Sequence, residues 1–238
     1  MSLPDRPITI LIAALGGEGG GVMADWLIDA AAKCGFPSQS TSIPGVAQRT
    51  GATTYYLEIF PATLGQLNGR QPVFSLTPSP GNVDIMVASE LIEAGRAMLN
   101  GYVSPERTTL VASTHRIYAT IEKMQMADGR FDSERVIEAG GQLAKQAVLF
   151  DMRKLAQDSG TVINAVLFGA MAGSGVLPLT REACEQAIRG SGRGAEARCA
   201  ALTLASRSPL VPARRRSRQR RRNRLRSSTK SCGSASSG

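Results

Sequence analysis

The sequence predicts an α/β protein with an open, mostly parallel sheet and helices on both faces, a Rossmann-like arrangement. Three observations carry this expectation. Residues Ile8 to Leu15 form a nearly continuous apolar run, as expected of a strand covered on both faces. A glycine loop follows at once, Gly16-Gly17-Glu18-Gly19-Gly20-Gly21, and then Val22, Met23, Trp26, Leu27 and Ala30 mark one face of a helix that stops at Gly35. Short strands and helices alternate down the rest of the chain.

In order, residues 52–60 are β-rich through Thr53, Thr54, Tyr55, Tyr56 and Ile59, and 83–88 form a short apolar strand. Glu90 to Leu99 reads as a helix with Leu91, Ala94 and Met98 on one side, and 108–112 as another strand. Asp132 can cap a helix running to about Lys145, and Thr180 can cap one over Arg181 to Ile188. Between them, the uncharged stretch from Ser159 to Thr180 holds four glycines, Asn164 and Pro178, which suits a buried Gly/Ala-rich helix and its loop better than a membrane span. Past Ile188 the periodicity fades. The expected organisation is one folded domain over residues 1–196 and a disordered basic low-complexity tail over 197–238.

The charge is divided in the same way. Of the 238 residues, 28 are Lys or Arg and 19 are Asp or Glu, for a net +9, yet every acid lies at or before Glu196. Eleven basic residues and no acid occupy 207–238, which leaves 17 basic against 19 acidic residues before it. The body is therefore mildly acidic, and an inference from basic charge to nucleic acid applies only to Arg214 to Arg226, where no aromatic is present for base stacking. The N-terminus carries no signal-peptide pattern, and Cys34, Cys184, Cys199 and Cys232 are scattered without a CxxC pair. A cytoplasmic protein without a disulfide framework or metal cluster of its own is expected.

The glycine loop, Gly16, Gly17, Gly19, Gly20 and Gly21, sits where a strand gives way to a helix, so its amides can face an anion; the same glycines can equally serve tight backbone packing. An ordinary dinucleotide site is disfavoured. No acid lies between Asp29 and Glu58 to take a ribose hydroxyl, and Glu18 in the loop repels a pyrophosphate unless it is compensated. A second polar loop, from Pro44 to Gly51, brings Gln48 and Arg49 to the carboxyl edge of the sheet, with Arg49 the best single anion-binding candidate. His115, the one histidine, follows a strand and can serve as acid or base, though a lone His without a nucleophile partner is more often structural. Glu90 and Glu93 share a helix face, and Glu93 can pair with Arg96 three residues on, as on a surface helix.

These segments together resemble the gamma-type domain of the 2-oxoacid:acceptor oxidoreductases over about residues 8–197. The family's Gly-x-Gly-Gly-Gln-Gly loop is similar to Ala14-Leu15-Gly16-Gly17-Glu18-Gly19, with Ala for the first Gly and Glu for Gln. Its Ala-Gln-Arg-x-Gly segment is matched by Ala47-Gln48-Arg49-Thr50-Gly51. Its strand-to-helix segment with paired acids is matched by Val83 to Ala94, including Glu90 and Glu93, and its final helix pair by Asn164 to Ala170 and Leu177-Pro178-Leu179. The resemblance implies a subunit of an enzyme that oxidatively decarboxylates arylpyruvates such as indolepyruvate to aryl-acetyl-CoA, with ferredoxin as electron acceptor. It also implies that thiamine diphosphate, magnesium and [4Fe-4S] clusters reside on a thiamine-binding alpha subunit, because this chain has no Gly-Asp-Gly motif and no cluster spacing of cysteines. CoA, an anion or the partner would then meet Gly16, Gly17, Gly19, Gly20, Gly21, Gln48, Arg49, Glu90 and Asn164. The likeness ends after Glu196, where the eleven basic residues point to a shifted reading frame, the alternative being a genuine basic tail. The rival functions are a stand-alone nucleotide-binding oxidoreductase and nucleic-acid binding through that tail.

Overall fold

A computed structural model describes residues 5–43, 52–116, 132–192, 194–208 and 211–212. Its elements, in chain order, are β1 (Ile8–Leu15), α1 (Gly20–Lys33), β2 (Ser38–Ile43), β3 (Ala52–Ile59), β4 (Ile85–Ala88), α2 (Leu91–Leu99) and β5 (Thr109–Ser113). There follow α3 (Ser133–Leu143), β6 (Gln146–Phe150), α4 (Met152–Asp158), α5 (Ile163–Gly173), α6 (Arg181–Gly190), α7 (Ala195–Ala205) and β7 (Val211–Pro212). The strands form one sheet in the order β2-β3-β1-β4-β5-β6-β7. The expected α/β fold is present. Its centre, β1-β4-β5-β6, is parallel, while β3 pairs antiparallel with β1 and β2, and β7 pairs antiparallel with β6.

The two-residue alternation of the strands divides the core into two layers. Ile10, Ile12 and Ala14 of β1, with Ile85 and Val87 of β4, face α1, α4, α5, α6 and α7. Leu11 and Ala13, with Met86 and Ala88, face the layer of α2, against which α3 packs. Capping follows the sequence: the Asp132 carboxylate accepts from the N–H groups of Glu134 and Arg135, and the Thr180 hydroxyl accepts from Ala183 N–H. β2 is polar, Ser38 to Ile43, because it lies at the edge of the sheet and buries no face of its own. Among the described residues, no helix is long and apolar enough to cross a membrane.

The folded domain runs past Glu196, where the sequence analysis ends it. α7 buries Ala201, Leu202 and Ala205 against α5. The approach is close enough that a Cβ on Gly169 would stand 2.5 Å from the Leu202 carbonyl oxygen, and one on Gly173 would strike the Ser206 backbone. Small residues on both helices make this contact, so α7 has only a faint amphipathic stripe and the expected boundary falls inside it. Residues 213–238, most of the expected tail, lie outside the described residues.

Gly169→Ala should cost about 1–3 kcal/mol by overpacking this contact. Gly16→Ala, whose added Cβ would meet nothing within 4 Å, serves as the control. Melting curves of the two variants check this. A Gly169→Ala protein that melts with the control would mean that α7 does not pack as described.

Candidate functional site at the carboxyl edge

From β1 the chain crosses to one face of the sheet through α1, and from β4 it crosses to the other through α2. Strand order therefore reverses at the carboxyl ends of β1 and β4, and α/β sheets open a crevice at such a point. Ser89 binds the two strand ends together: its N–H donates to Ala13 O at 2.9 Å, and its hydroxyl accepts from Leu15 N–H at 3.0 Å. On the β3 side of the β1 end lies a cleft of about 300 Å³, walled by Leu15, the loop glycines, Val22, Thr53 and Tyr55.

Within the loop the glycines divide by role. Gly17 and Gly19 have positive φ, +84° and +74°, and Gly19 is the N-cap of α1, so the first amides of that helix have no side-chain cap. A Cβ on Gly19 would collide with the Asn164 side chain, and one on Gly20 would stand 2.5 Å from Ala14 Cβ and 2.9 Å from the Tyr55 ring. Gly21 lies beside the Tyr55 hydroxyl. Gly16 and Gly17 have no such neighbours and border the open cleft. Tight packing accounts for Gly19 and Gly20, and the stretch open to a ligand is Gly16-Gly17 with the free N-terminal turn of α1.

Behind the loop is a layer of buried polar groups. Glu18 turns inward, and its carboxylate lies 3.5 Å from His115 Nε2, the two side chains 14% and 7% exposed. The far side of the imidazole, Nδ1, is 2.8 Å from the Ser113 hydroxyl, whose oxygen also accepts from Met152 N–H at 3.0 Å. Glu, His and Ser in a row resemble a hydrolytic triad, but Ser113 is fully buried and holds the start of α4, so no substrate can reach it. Next to this row, Glu90 caps α2 by accepting from Ile92 N–H at 2.7 Å, and Arg116 Nε stands 3.5 Å from its other oxygen while Arg116 donates to Ser133 at 3.0 Å. Asn164, the second residue of α5, donates to Gly19 O at 3.3 Å, and its own oxygen is buried without a hydrogen-bond partner. Glu18 Oε2 and His115 Nε2 are buried in the same condition.

Of the expected site residues, the structure brings Gly16, Gly17, Gly19, Gly20, Gly21, Glu90, Asn164 and His115 to one edge. Gln48 and Arg49 lie outside the described residues. Glu90 and Glu93 are not surface acids: they are 2% and 7% exposed, because α2 starts on the sheet edge and turns its first residues inward. The Glu93–Arg96 ion pair is present. Burial pushes the Glu93 carboxyl up, with Arg96 opposing and Glu90 adding to the rise. Sequence reasoning missed the inward turn of Glu18 and the parts of Ser89, Ser113 and Arg116. The only signal for them was position, each following a predicted strand.

A second cleft, of about 290 Å³, lies at the opposite edge among Arg6, Asp84, Glu106, Arg107, Lys145 and Gln146. Its central charges neutralise one another. Both Asp84 oxygens take Arg6, at 2.6 and 2.7 Å, and one of them also takes the N–H and hydroxyl of Thr9. Burial pushes the Asp84 carboxyl up, but the hydrogen bonds from Arg6 and Thr9 together hold it below the usual carboxylate range. Arg107 bonds Asn82. This arrangement fastens the sheet and leaves the carboxyl edge as the better ligand site.

Resident metal or cluster chemistry does not fit the donors found here. Among the described residues, no three His, Cys, Asp or Glu side chains are grouped to hold a metal. Cys184 is buried, and burial pushes its thiol up to about 12, far from a ready thiolate ligand.

Comparison with known proteins agrees with this architecture. The family model for pyruvate ferredoxin/flavodoxin oxidoreductase matches residues 9–207. The chain belongs to this family. Indolepyruvate oxidoreductase subunit IorB of Thermococcus kodakarensis is 24% identical over 199 residues, spanning 77% of this chain and 86% of that protein. Among solved structures, pyruvate oxidoreductase subunit PORC of Thermotoga maritima superposes with a TM-score of 0.58 at 16% identity, over 87% of this chain and 98% of that one. A 2-oxoglutarate:ferredoxin oxidoreductase from Magnetococcus marinus, with coenzyme A bound, superposes with a TM-score of 0.57 at 12% identity, over 85% of this chain and 31% of that one. The oxidoreductase family match extends through α7 to residue 207, in keeping with the helix packed there.

Asp84 supplies a test of the division between the two edges. Its depressed carboxyl stabilises the fold above the ordinary aspartate range, and that contribution is lost as pH falls through the native value. Asp84→Asn should therefore cost about 1.5–3 kcal/mol at neutral pH, with the gap to wild type closing as pH drops from about 5. Denaturant melts at several pH values read this, and a gap that stays constant on acidification would exclude the linkage.

Proposed function

We propose that this 2-oxoacid:ferredoxin oxidoreductase subunit serves an enzyme that oxidatively decarboxylates arylpyruvates, indolepyruvate among them, to aryl-acetyl-CoA, and that it holds no cofactor of its own. The observation that carries the reading is the relative named as an indolepyruvate oxidoreductase subunit, which this chain matches over most of both lengths. Thiamine diphosphate, magnesium and [4Fe-4S] clusters belong, on this reading, to a thiamine-binding alpha subunit, where they supply the carbanion stabilisation and the electron path to ferredoxin.

The part left to this chain is to bind and orient. Gly16 and Gly17 line the cleft together with the uncapped first turn of α1, a setting suited to the phosphates of CoA or an acidic surface of the partner. Gln48 and Arg49, which precede β3 in the sequence, are on this reading the side chains that contact the anion or the partner. The CoA bound by the Magnetococcus enzyme supports CoA over a dinucleotide as the ligand class.

Co-expression with a thiamine-binding subunit tests this. The complex should turn over indolepyruvate with CoA and ferredoxin and should favour arylpyruvates over pyruvate and 2-oxoglutarate; a preference for pyruvate would overturn the substrate assignment. In that complex Gly16→Leu should raise KM for CoA about tenfold, the loss of a contact of about 1.4 kcal/mol, without lowering Tm, because the new side chain enters the cleft and not the core. Arg49→Ala should weaken CoA or partner binding about ten- to a hundredfold.

A further inference from the structure

Glu18 places a carboxylate inside a loop whose Gly16 and Gly17 border an open cleft and whose last glycine leads into an uncapped helix. Glu18 is not among the residues that wall the cleft; its Oε2 is buried, and the group facing the carboxylate is His115 Nε2 at 3.5 Å. Both Glu18 Oε2 and His115 Nε2 are buried without hydrogen-bond partners, and the histidine is the only one in the chain. Glu18 stands in the β1–α1 loop and His115 beyond the end of β5, so the pair ties the loop to the sheet across β4.

We propose that this pair sets the affinity of the glycine loop for an anionic ligand, His115 in its protonated form cancelling the charge of Glu18 beneath the loop. The proposal rests on the reading of the loop as the ligand-binding edge. A carboxylate in a buried position beside an imidazole has a counter-charge only while the imidazole carries its proton. With the proton present, an anion at Gly16-Gly17 meets backbone dipoles over a neutral pair. Without it, the anion meets the same dipoles over an uncompensated negative charge, and Coulomb repulsion opposes binding at short range, where salt screens little.

Among the described residues, the other charged groups of this edge do not replace His115 in that role. From α2, Glu90 and Glu93 are further negative charges; Arg96 pairs with Glu93, and Arg116 stands against Glu90 and Ser133. From α4 only the Met152 N–H enters, through Ser113, and from α5 the neutral Asn164. Among the described residues His115 is thus the group that faces Glu18, and its protonated form is the counter-charge that the geometry offers there.

Sulfate titrations of the full chain at about pH 6 and pH 8.5, followed through the amide resonances of Gly16 and Gly17, test the proposal, because sulfate keeps its charge over this range. Wild type should bind about three- to tenfold more weakly at the higher pH. Glu18→Gln, nearly isosteric and neutral, should bind alike at both, and His115→Gln should bind weakly at both, with Tm confirming that each variant is folded. A Glu18→Gln protein that keeps the wild-type pH dependence would overturn the proposal and leave the loop as ligand site. Amide resonances unmoved by sulfate in every form would overturn the reading of the loop itself, and this proposal with it.

Discussion

At the end of β1 the chain must turn into α1 through a gap with room for hydrogen and little else. Asn164 of α5 closes that gap on one side at Gly19, and Ala14 and Tyr55 close it on the other at Gly20. The same restriction recurs behind it, where Gly169 and Gly173 of α5 admit the backbone of α7. Close approaches therefore run from the cleft through α5 to α7. The Asn164 amide holds Gly19 O and α5 is held by α7, while Gly16 and Gly17 have no neighbour within 4 Å of where a Cβ would stand. Glycine serves here less for flexibility than for the absence of a Cβ.

The two edges of the parallel strands use charge in opposite ways. At the amino edge Asp84 has a partner on each oxygen, and the result is a fastening. At the carboxyl edge Glu18 Oε2, His115 Nε2 and Asn164 Oδ1 are buried without hydrogen bonds, a condition that costs about 1–3 kcal/mol for each group. A chain selected for stability alone would satisfy or replace these groups. The three stand together behind the glycine loop, where Glu18 faces His115 and Asn164 holds Gly19 O.

Much of the fold was legible because the deciding signals are local. The apolar run of β1, the stripe of α1, and the caps Asp132 and Thr180 each work within a few residues, and each element formed where its signal stood. Polar β2 and the small-residue helix α7 were not legible: the edge position that excuses the first and the facing glycines that hold the second are properties of the assembled sheet and helices. The site divides likewise. The glycine loop announced itself by composition, whereas Glu18 and His115 lie 97 residues apart and meet only because β1, β4 and β5 are neighbours. Glu18 was legible as an obstacle to anion binding, and the sequence held no sign of what opposes it.

Long-range electrostatics does not account for an anion at this edge. Residues 1–206 carry 17 basic and 19 acidic side chains, so the body offers a phosphate no net attraction, and the excess positive charge sits from Arg207 onward. Any preference for an anion must arise within a few ångströms of the loop, from peptide dipoles that are fixed and from the balance of charge just beneath them. Fixed dipoles give geometry, since Gly16 and Gly17 can approach a ligand more closely than any residue with a side chain. The buried charges decide the sign of the local field. An acidic residue inside a glycine loop is therefore compatible with anion binding on one condition, that its charge is turned inward and opposed there, which is the arrangement Glu18 adopts against His115.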